Sequence, residues 1–174
     1  MNVYHFAAVA CVLAMGSLVR AEDTPDKVKD LPLDDQYIVK ALVANNAVIQ
    51  KAKLVEGRSE SEALKAFAKQ IIEDHEKVNE KIGDLVKERK LSVVAGLEKE
   101  VREEIDRLKE LKGAEFDRAY LTSFITGHEK CVRMCKAQVD GGKEEGLKTF
   151  AKDCCNKMEE HLKQAKELKE KLTK

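Results

Sequence analysis

Tryptophan is absent from this 174-residue sequence, prolines number two, and aromatic residues make up only 5% of it. A β-sandwich or barrel needs closely spaced turn residues and runs of β-branched and aromatic side chains, so an all-β fold is excluded. Net charge is missing as well, since 32 basic residues balance 32 acidic ones. Without an excess of Lys and Arg there is no field to gather phosphates, and a nucleic-acid-binding role is excluded too. The length fits a single domain and leaves no room for a two-lobed enzyme with a cleft between the lobes. No nucleophile elbow, phosphate loop or serine triad is present, so the sequence leans away from an enzyme and leaves that question open.

What the chain does have is charge in quantity, 37% of residues, mixed with 43% hydrophobic residues. That mixture favours long helices with one apolar face. The single long apolar run opens the chain, from Phe6 to Val19. At about 14 residues it matches the core of a secretory signal and is short for a membrane span. The exit Val19-Arg20-Ala21 predicts cleavage after Ala21 and a mature chain starting at Glu22. The segment Met1 to His5 lacks Lys and Arg, and an uncleaved anchor is the alternative; Cys11 reads as filling of the apolar run. Removing residues 1–21 takes Arg20 and no acidic residue, leaving a net charge of −1. No later run is long enough for a transmembrane span, so the mature protein is expected to be exported, in the periplasm or associated with the outer envelope.

Residues 22–33 hold both Pro25 and Pro32 and read as a flexible leader; residues 34–172 read as one helical domain. Asp34 or Asp35 is placed to cap a first helix whose apolar face carries Tyr37, Ile38, Ala41, Asn45, Val48, Ala52 and Val55, ending near Gly57. Ser59 with Glu62 has the spacing of a capping box, and a second helix follows to about Lys90, with Leu64, Phe67, Ile71, His75, Val78, Ile82 and Leu85 on one face. After a break at 91–96, a thin stripe of Leu97, Val101, Ile105, Leu108 and Leu111 predicts a short connecting helix. The next helix carries Phe116, Asp117, Tyr120, Phe124, His128, Cys131 and Cys135 on one arc, and Asp140-Gly141-Gly142 reads as a turn. The last, from about Glu144, presents Leu147, Ala151, Cys154, Met158, His161, Ala165 and Leu168.

Four long helices with one apolar face each predict an all-α, four-helix bundle. Sixteen helical residues at 96–111 rise about 24 Å, roughly a bundle length, so the connector can carry the chain back to the end where the second helix began. The third core helix would then run parallel to the second, as in ferritin-like folds. A plain up-and-down bundle is the rival arrangement.

The three histidines beyond the leader, His75, His128 and His161, all lie on apolar faces, each on a different helix. The crossover arrangement brings them to similar heights, where neutral imidazoles would suit a transition metal, with Asp117 as the best-placed carboxylate and Asp74, Glu76 and Glu129 as further candidates. A hydrogen-bonded structural cluster, using a partner such as Tyr120, is the competing reading. A classical di-iron centre is not expected: Ile72, Ile125 and Met158 stand three residues before the histidines where such sites use Glu, and no acidic residue occurs from Gln36 to Val55.

Four cysteines follow the leader: Cys131, Cys135, Cys154 and Cys155. In an oxidising compartment an even count points to disulfides. Counted from a turn between Gly142 and Lys143, Cys131 and Cys154 fall roughly level, which makes them the preferred bridge; Cys135 to Cys155 is offset by about 7 Å of helix rise. The functional alternative is a thiol redox or thiolate metal site on Cys131, Cys135 and Cys154, with His128 on the same face. A third reading is a non-catalytic envelope interaction module that uses the charged outer faces.

The segments Phe67-Ala68-Lys69-Gln70-Ile71-Ile72-Glu73-Asp74-His75, Gly113-Ala114-Glu115-Phe116-Asp117-Arg118-Ala119-Tyr120, His128-Glu129-Lys130 and Glu160-His161-Leu162 resemble an exported bacterial family, Domain of Unknown Function 4142, over about Asp34 to Leu168. The resemblance implies a ferritin-like helical bundle, a signal sequence and a periplasmic or outer-envelope setting, without a demonstrated activity. It also implies that Asp74, His75, Phe116, Asp117, Tyr120, His128 and His161 occupy the family's motif positions. The chain departs from the pattern in its first helix, where members usually carry a Glu and Asn45 to Ile49 stand here, and its four cysteines are particular to it.

Overall fold

The computed structural model describes residues 28–93 and 96–172. The expected signal segment 1–21 and the first half of the expected leader, residues 22–27 with Pro25, lie outside the described residues. Everything that follows is helix joined by short connections: α1 (Leu33–Lys53), α2 (Val55–Arg58), α3 (Glu62–Glu88), α4 (Lys99–Glu110), α5 (Gly113–Gly141) and α6 (Glu145–Leu172). The chain is thus an all-helical bundle, with α1, α3, α5 and α6 as its long members.

Pairings between helices give their directions. Phe67 near the start of α3 meets Phe124 of α5. Arg89, just past the end of α3, binds Asp35 at the start of α1 and Glu144 at the start of α6. Asp34 of α1 in turn accepts from Gln138 at the end of α5. The ends of α3 and α5 therefore share one end of the bundle with the starts of α1 and α6, and α3 runs parallel to α5. The connector α4 makes that possible. It is 12 residues long rather than the expected sixteen, about 18 Å of rise, and the chain on either side supplies the rest of the distance in non-helical form.

Several local expectations are corrected. Asp34 does not cap α1, whose N-cap is Pro32 without a side-chain bond; its carboxylate instead accepts from Gln138 Nε2 and from the Lys143 backbone N–H (3.2 Å), tying the α5–α6 turn to α1. Gly142 is required there, since a Cβ would come within 2.9 Å of Asp34 Oδ1. The cap of α3 is Ser61, accepting from Leu64 N–H at 3.3 Å, while Ser59 accepts from Ser61 N–H. The helix expected to turn at Asp140 runs on through Gly141.

Helix α3 ends in a Schellman arrangement, with Leu91 N–H donating to the Val86 carbonyl and Lys90 N–H to that of Lys87. This holds Lys90 at φ 53°, a left-handed conformation that glycine adopts without the Cβ penalty. Lys90→Gly is expected to stabilise the protein by about 1 kcal/mol, read as a rise of a few degrees in Tm.

The core has two apolar halves. One gathers Val48, Ala52, Leu64, Phe67, Ile71, Phe116, Tyr120, Leu121, Phe124 and Ala165; the other gathers Tyr37, Ile38, Ala41, Ile82, Val132, Cys135, Leu147, Ala151, Cys154 and Met158. Between them each long helix contributes one buried polar residue: Asn45, His75, His128 and His161. Lys51, also buried, reaches from α1 to Glu104 of α4 (3.0 Å) and Ser123 of α5 (2.9 Å), pinning the connector to the bundle.

Candidate metal centre

His75 lies in mid α3 between Ile71 and Ile82, His128 in mid α5 between Phe124 and Val132, and His161 in α6 between Met158 and Ala165. Helical periodicity puts each of them on its core face because those neighbours must be buried. All three are sealed from solvent, at 1%, 0% and 0% exposure. Their rings are mutual neighbours, with centroids 5.4 Å apart for His75 and His128, 5.6 Å for His75 and His161, and 5.7 Å for His128 and His161. One nitrogen from each ring lies within 4.8 Å of the other two. Among the described residues no other set of three His, Cys, Asp or Glu side chains converges in this way.

Each ring is oriented by one nitrogen and left bare at the other. His75 Nδ1 pairs with Asn45 Oδ1 at 2.7 Å, His128 Nδ1 with the Phe124 carbonyl at 3.2 Å, and His161 Nε2 with Asp74 Oδ2 at 3.1 Å. The partners at His128 and His161, a carbonyl and a carboxylate, can only accept, so those ring nitrogens carry the hydrogen and the opposite nitrogens carry lone pairs. The Asn45 amide nitrogen has no partner in the protein, which fits an amide presenting its oxygen to His75. His75 Nε2, His128 Nε2 and His161 Nδ1 are buried without a protein partner. Stacking of Phe124 on His128, with centroids 3.8 Å apart, fixes that ring further.

Electrostatics keep the imidazoles neutral. Burial, then the neighbouring His161, pushes His75 down to about 3 against the pull of Asp74. Burial and the other two histidines hold His128 well below its ordinary value. His161 is lowered by burial as well, opposed by its Asp74 hydrogen bond. Burial would raise Asp74, but the His161 hydrogen bond and charge, with Lys157 and Lys77, bring it below the usual carboxylate range. Three neutral rings, each keeping one nitrogen without a protein partner, are a candidate donor set for a cation; M–N bonds of about 2.0–2.1 Å at tetrahedral angles place ligand nitrogens about 3.3 Å apart, closer than the 4.8 Å span of these rings.

The other expected participants lie elsewhere. Asp117 is buried on α5, with Oδ1 unpartnered, but it precedes His128 by three helical turns, about 16 Å, so sharing an arc did not make the two neighbours. Glu76 and Glu129 pair outward with Lys53 (3.6 Å) and Lys166 (3.1 Å). The Tyr120 hydroxyl has no protein partner and does not serve a histidine. Sequence reasoning noted Asn45 only as a missing carboxylate, whereas it orients His75. It gave no signal for the Phe124 carbonyl, an acceptor that every helix offers four residues back.

The four cysteines are free thiols, and the expected Cys131–Cys154 bridge is not formed. Cys131 is only half-buried. Cys135 faces inward instead, its sulfur 3.6 Å from the Tyr37 hydroxyl. Level position along two antiparallel helices did not decide the pairing, because the rotation of each helix about its own axis also counts.

Known structures share this architecture. A Streptomyces coelicolor protein of the DUF305 family, described as secreted, superposes with a TM-score of 0.73 at 16% identity, covering 81% of this chain and 92% of that one. CopM in its Cu(I)-bound form gives 0.68 at 18% identity, and in its Ag-bound form 0.67 at 20%, each covering 79% of this chain and 96% of CopM. At these identities the likeness is one of fold. No functionally curated protein matches the chain. The family model described as Domain of unknown function (DUF4142) matches residues 20–168, nearly the whole length, and carries the histidine-bearing segments of all three helices. The chain belongs to the DUF4142 family.

Proposed function

We propose that the protein is an exported transition-metal-binding protein that holds one cation on His75, His128 and His161. The carrying observation is that the three buried imidazoles converge, one nitrogen from each within 4.8 Å of the others, and that each ring keeps one nitrogen without a protein partner. Support for export comes from the apolar run before Ala21 and from the fold shared with a protein described as secreted. Support for the class of metal comes from the donors. Three neutral nitrogens in an apolar interior, with Asp74 acting only through His161, compensate a single positive charge far better than a double one. A copper(I)-like or silver-like ion fits that balance; the related fold of CopM is known with Cu(I), Ag and Cu(II) bound, so the preference for a single charge rests on the donors. The wide groove of about 590 Å³, lined by α4 and α5 residues such as Glu104, Arg107, Glu115 and Arg118, contains none of the histidines, which favours holding a cation over transforming a substrate.

Titration with Cu(I) against a competing chelator is expected to give one equivalent bound to the imidazoles. Asp74→Asn is expected to weaken this binding about 10- to 100-fold, because the carboxylate that orients and polarises His161 is lost. Asp117→Asn, three turns away, is expected to leave it unchanged. Equal effects of the two substitutions, or no binding that depends on a histidine, contradict the reading.

A further inference from the structure

The half of the core nearer the α5–α6 turn is rich in sulfur. Cys135, Cys154, Cys155 and Met158 are buried in it, and Cys131 and Met134 pack against it. Cys135 follows His128 by seven residues and Cys154 precedes His161 by seven, which is two helical turns in each case and the same face. The two thiols therefore form a layer parallel to the imidazole layer and about 10 Å from it along the bundle. Tyr37 of α1 completes that layer, with its hydroxyl 3.6 Å from Cys135 Sγ, and Cys154 is buried in the same cluster of side chains. Of the remaining cysteines, Cys155 is buried in the same cluster with Glu159 3.9 Å from its sulfur, and Cys131 is half-buried at its edge.

We propose that Cys135 and Cys154 form a second metal site, which takes one thiophilic monovalent cation with a filled d shell between their two sulfurs. Thiolates are the soft ligands such ions select, and two of them suffice for linear coordination. Binding exchanges protons for metal: two S–H bonds break, two metal–sulfur bonds form, and two protons leave to solvent, giving a complex of net charge −1. The Tyr37 O–H is placed to donate to that negative sulfur pair, and the Lys81 cation acts on Cys154 from nearby. Burial keeps both thiols protonated until a cation arrives, so the metal must displace their protons and its affinity for this pair rises with pH. The site does not rest on the imidazole reading, because none of its atoms belongs to a histidine.

The test is an anaerobic Ag(I) titration of the full, pre-reduced chain, with proton release and sulfur-to-silver absorption followed together. The expected result is two equivalents, one of them with sulfur absorption and two protons released. Cys135→Ser and Cys154→Ser each remove that equivalent, whereas the Cys131→Ser/Cys155→Ser chain keeps it. Tyr37→Phe weakens it about tenfold, the loss of one hydrogen bond to a charged acceptor. His128→Leu leaves it in place, so failure of the imidazole site and failure of the thiol site are read separately. X-ray absorption of the silver-loaded original chain needs no substitution and is expected to show sulfur neighbours beside nitrogen, about one sulfur per silver when both sites are filled. Sulfur binding that survives Cys135→Ser or Cys154→Ser, or that vanishes equally in the Cys131→Ser/Cys155→Ser chain, overturns the proposal. So does silver without sulfur neighbours.

Discussion

Replacing His128 with Leu is expected to abolish metal binding at the imidazole site while leaving the metal-free bundle at least as stable as the original. The first half follows from the ligand count. Structural metal sites of four ligands are worth about 10–16 kcal/mol, so one ligand of such a set carries about 3–4 kcal/mol, or two to three orders of magnitude in affinity. The second half follows from the orphaned atoms. His128 Nε2 is fully buried without a protein partner, and such a group costs about 1–3 kcal/mol in the folded state. Leu is of similar volume and removes that group, at a cost in shape of under about 1.5 kcal/mol. The stack on Phe124 and the bond to its carbonyl are lost, which limits the gain. A structural hydrogen-bond cluster predicts the opposite, a clear fall in Tm on losing the histidine. Chelator-competition titration and thermal unfolding of the same variant separate the two readings.

Acid is expected to unfold the metal-free protein steeply below pH 6.5. His75 is held at about 3 by burial and by His161, while the same residue in the unfolded chain takes a proton near 6.5. Between those values the unfolded state binds more protons than the folded one, so stability is full above pH 6.5 and is lost as pH falls toward 3. Each such group contributes about 1.4 kcal/mol per pH unit, so His75 alone accounts for on the order of 5 kcal/mol across the window. His128 and His161 are shifted in the same direction. Domains of this size are stable by about 5–15 kcal/mol, and cooperative structure should be lost by about pH 4. Far-UV dichroism melts from pH 8 to pH 4 read this directly. A Tm that stays level from pH 6.5 to pH 4 contradicts neutral, buried imidazoles, and His128→Leu should make the fall shallower.

The bundle and its crossover were legible in the sequence because both rest on quantities that sequence carries: a 3.6-residue apolar period in every helix, and a connector long enough to span the bundle. The same period placed His75, His128 and His161 on core faces, and parallel α3 and α5 then set them at one level. What stayed illegible depends on rotation and on tertiary reach. Asp117 shares an arc with His128 but stands three turns away, a distance that a helical wheel suppresses. The cysteine register was counted from the turn alone, whereas the rotation of α5 faces Cys135 toward Tyr37 and leaves Cys131 half-buried. The contacts of Asp34 with Gln138 and Lys143 join positions more than 100 residues apart and leave no local pattern. Asn45, seen in the sequence as an absent carboxylate, is in the structure the acceptor for His75.

The central claim is that three imidazoles hold a metal, and X-ray absorption at the copper edge of the Cu(I)-loaded Cys135→Ser/Cys154→Ser chain, which lacks the proposed thiol site, tests it most directly. The expected spectrum has about three nitrogen neighbours near 2.0 Å with the outer-atom scattering of imidazole rings, and it is lost in His128→Leu. A spectrum of oxygen or sulfur neighbours alone, or one unchanged by that substitution, contradicts the account.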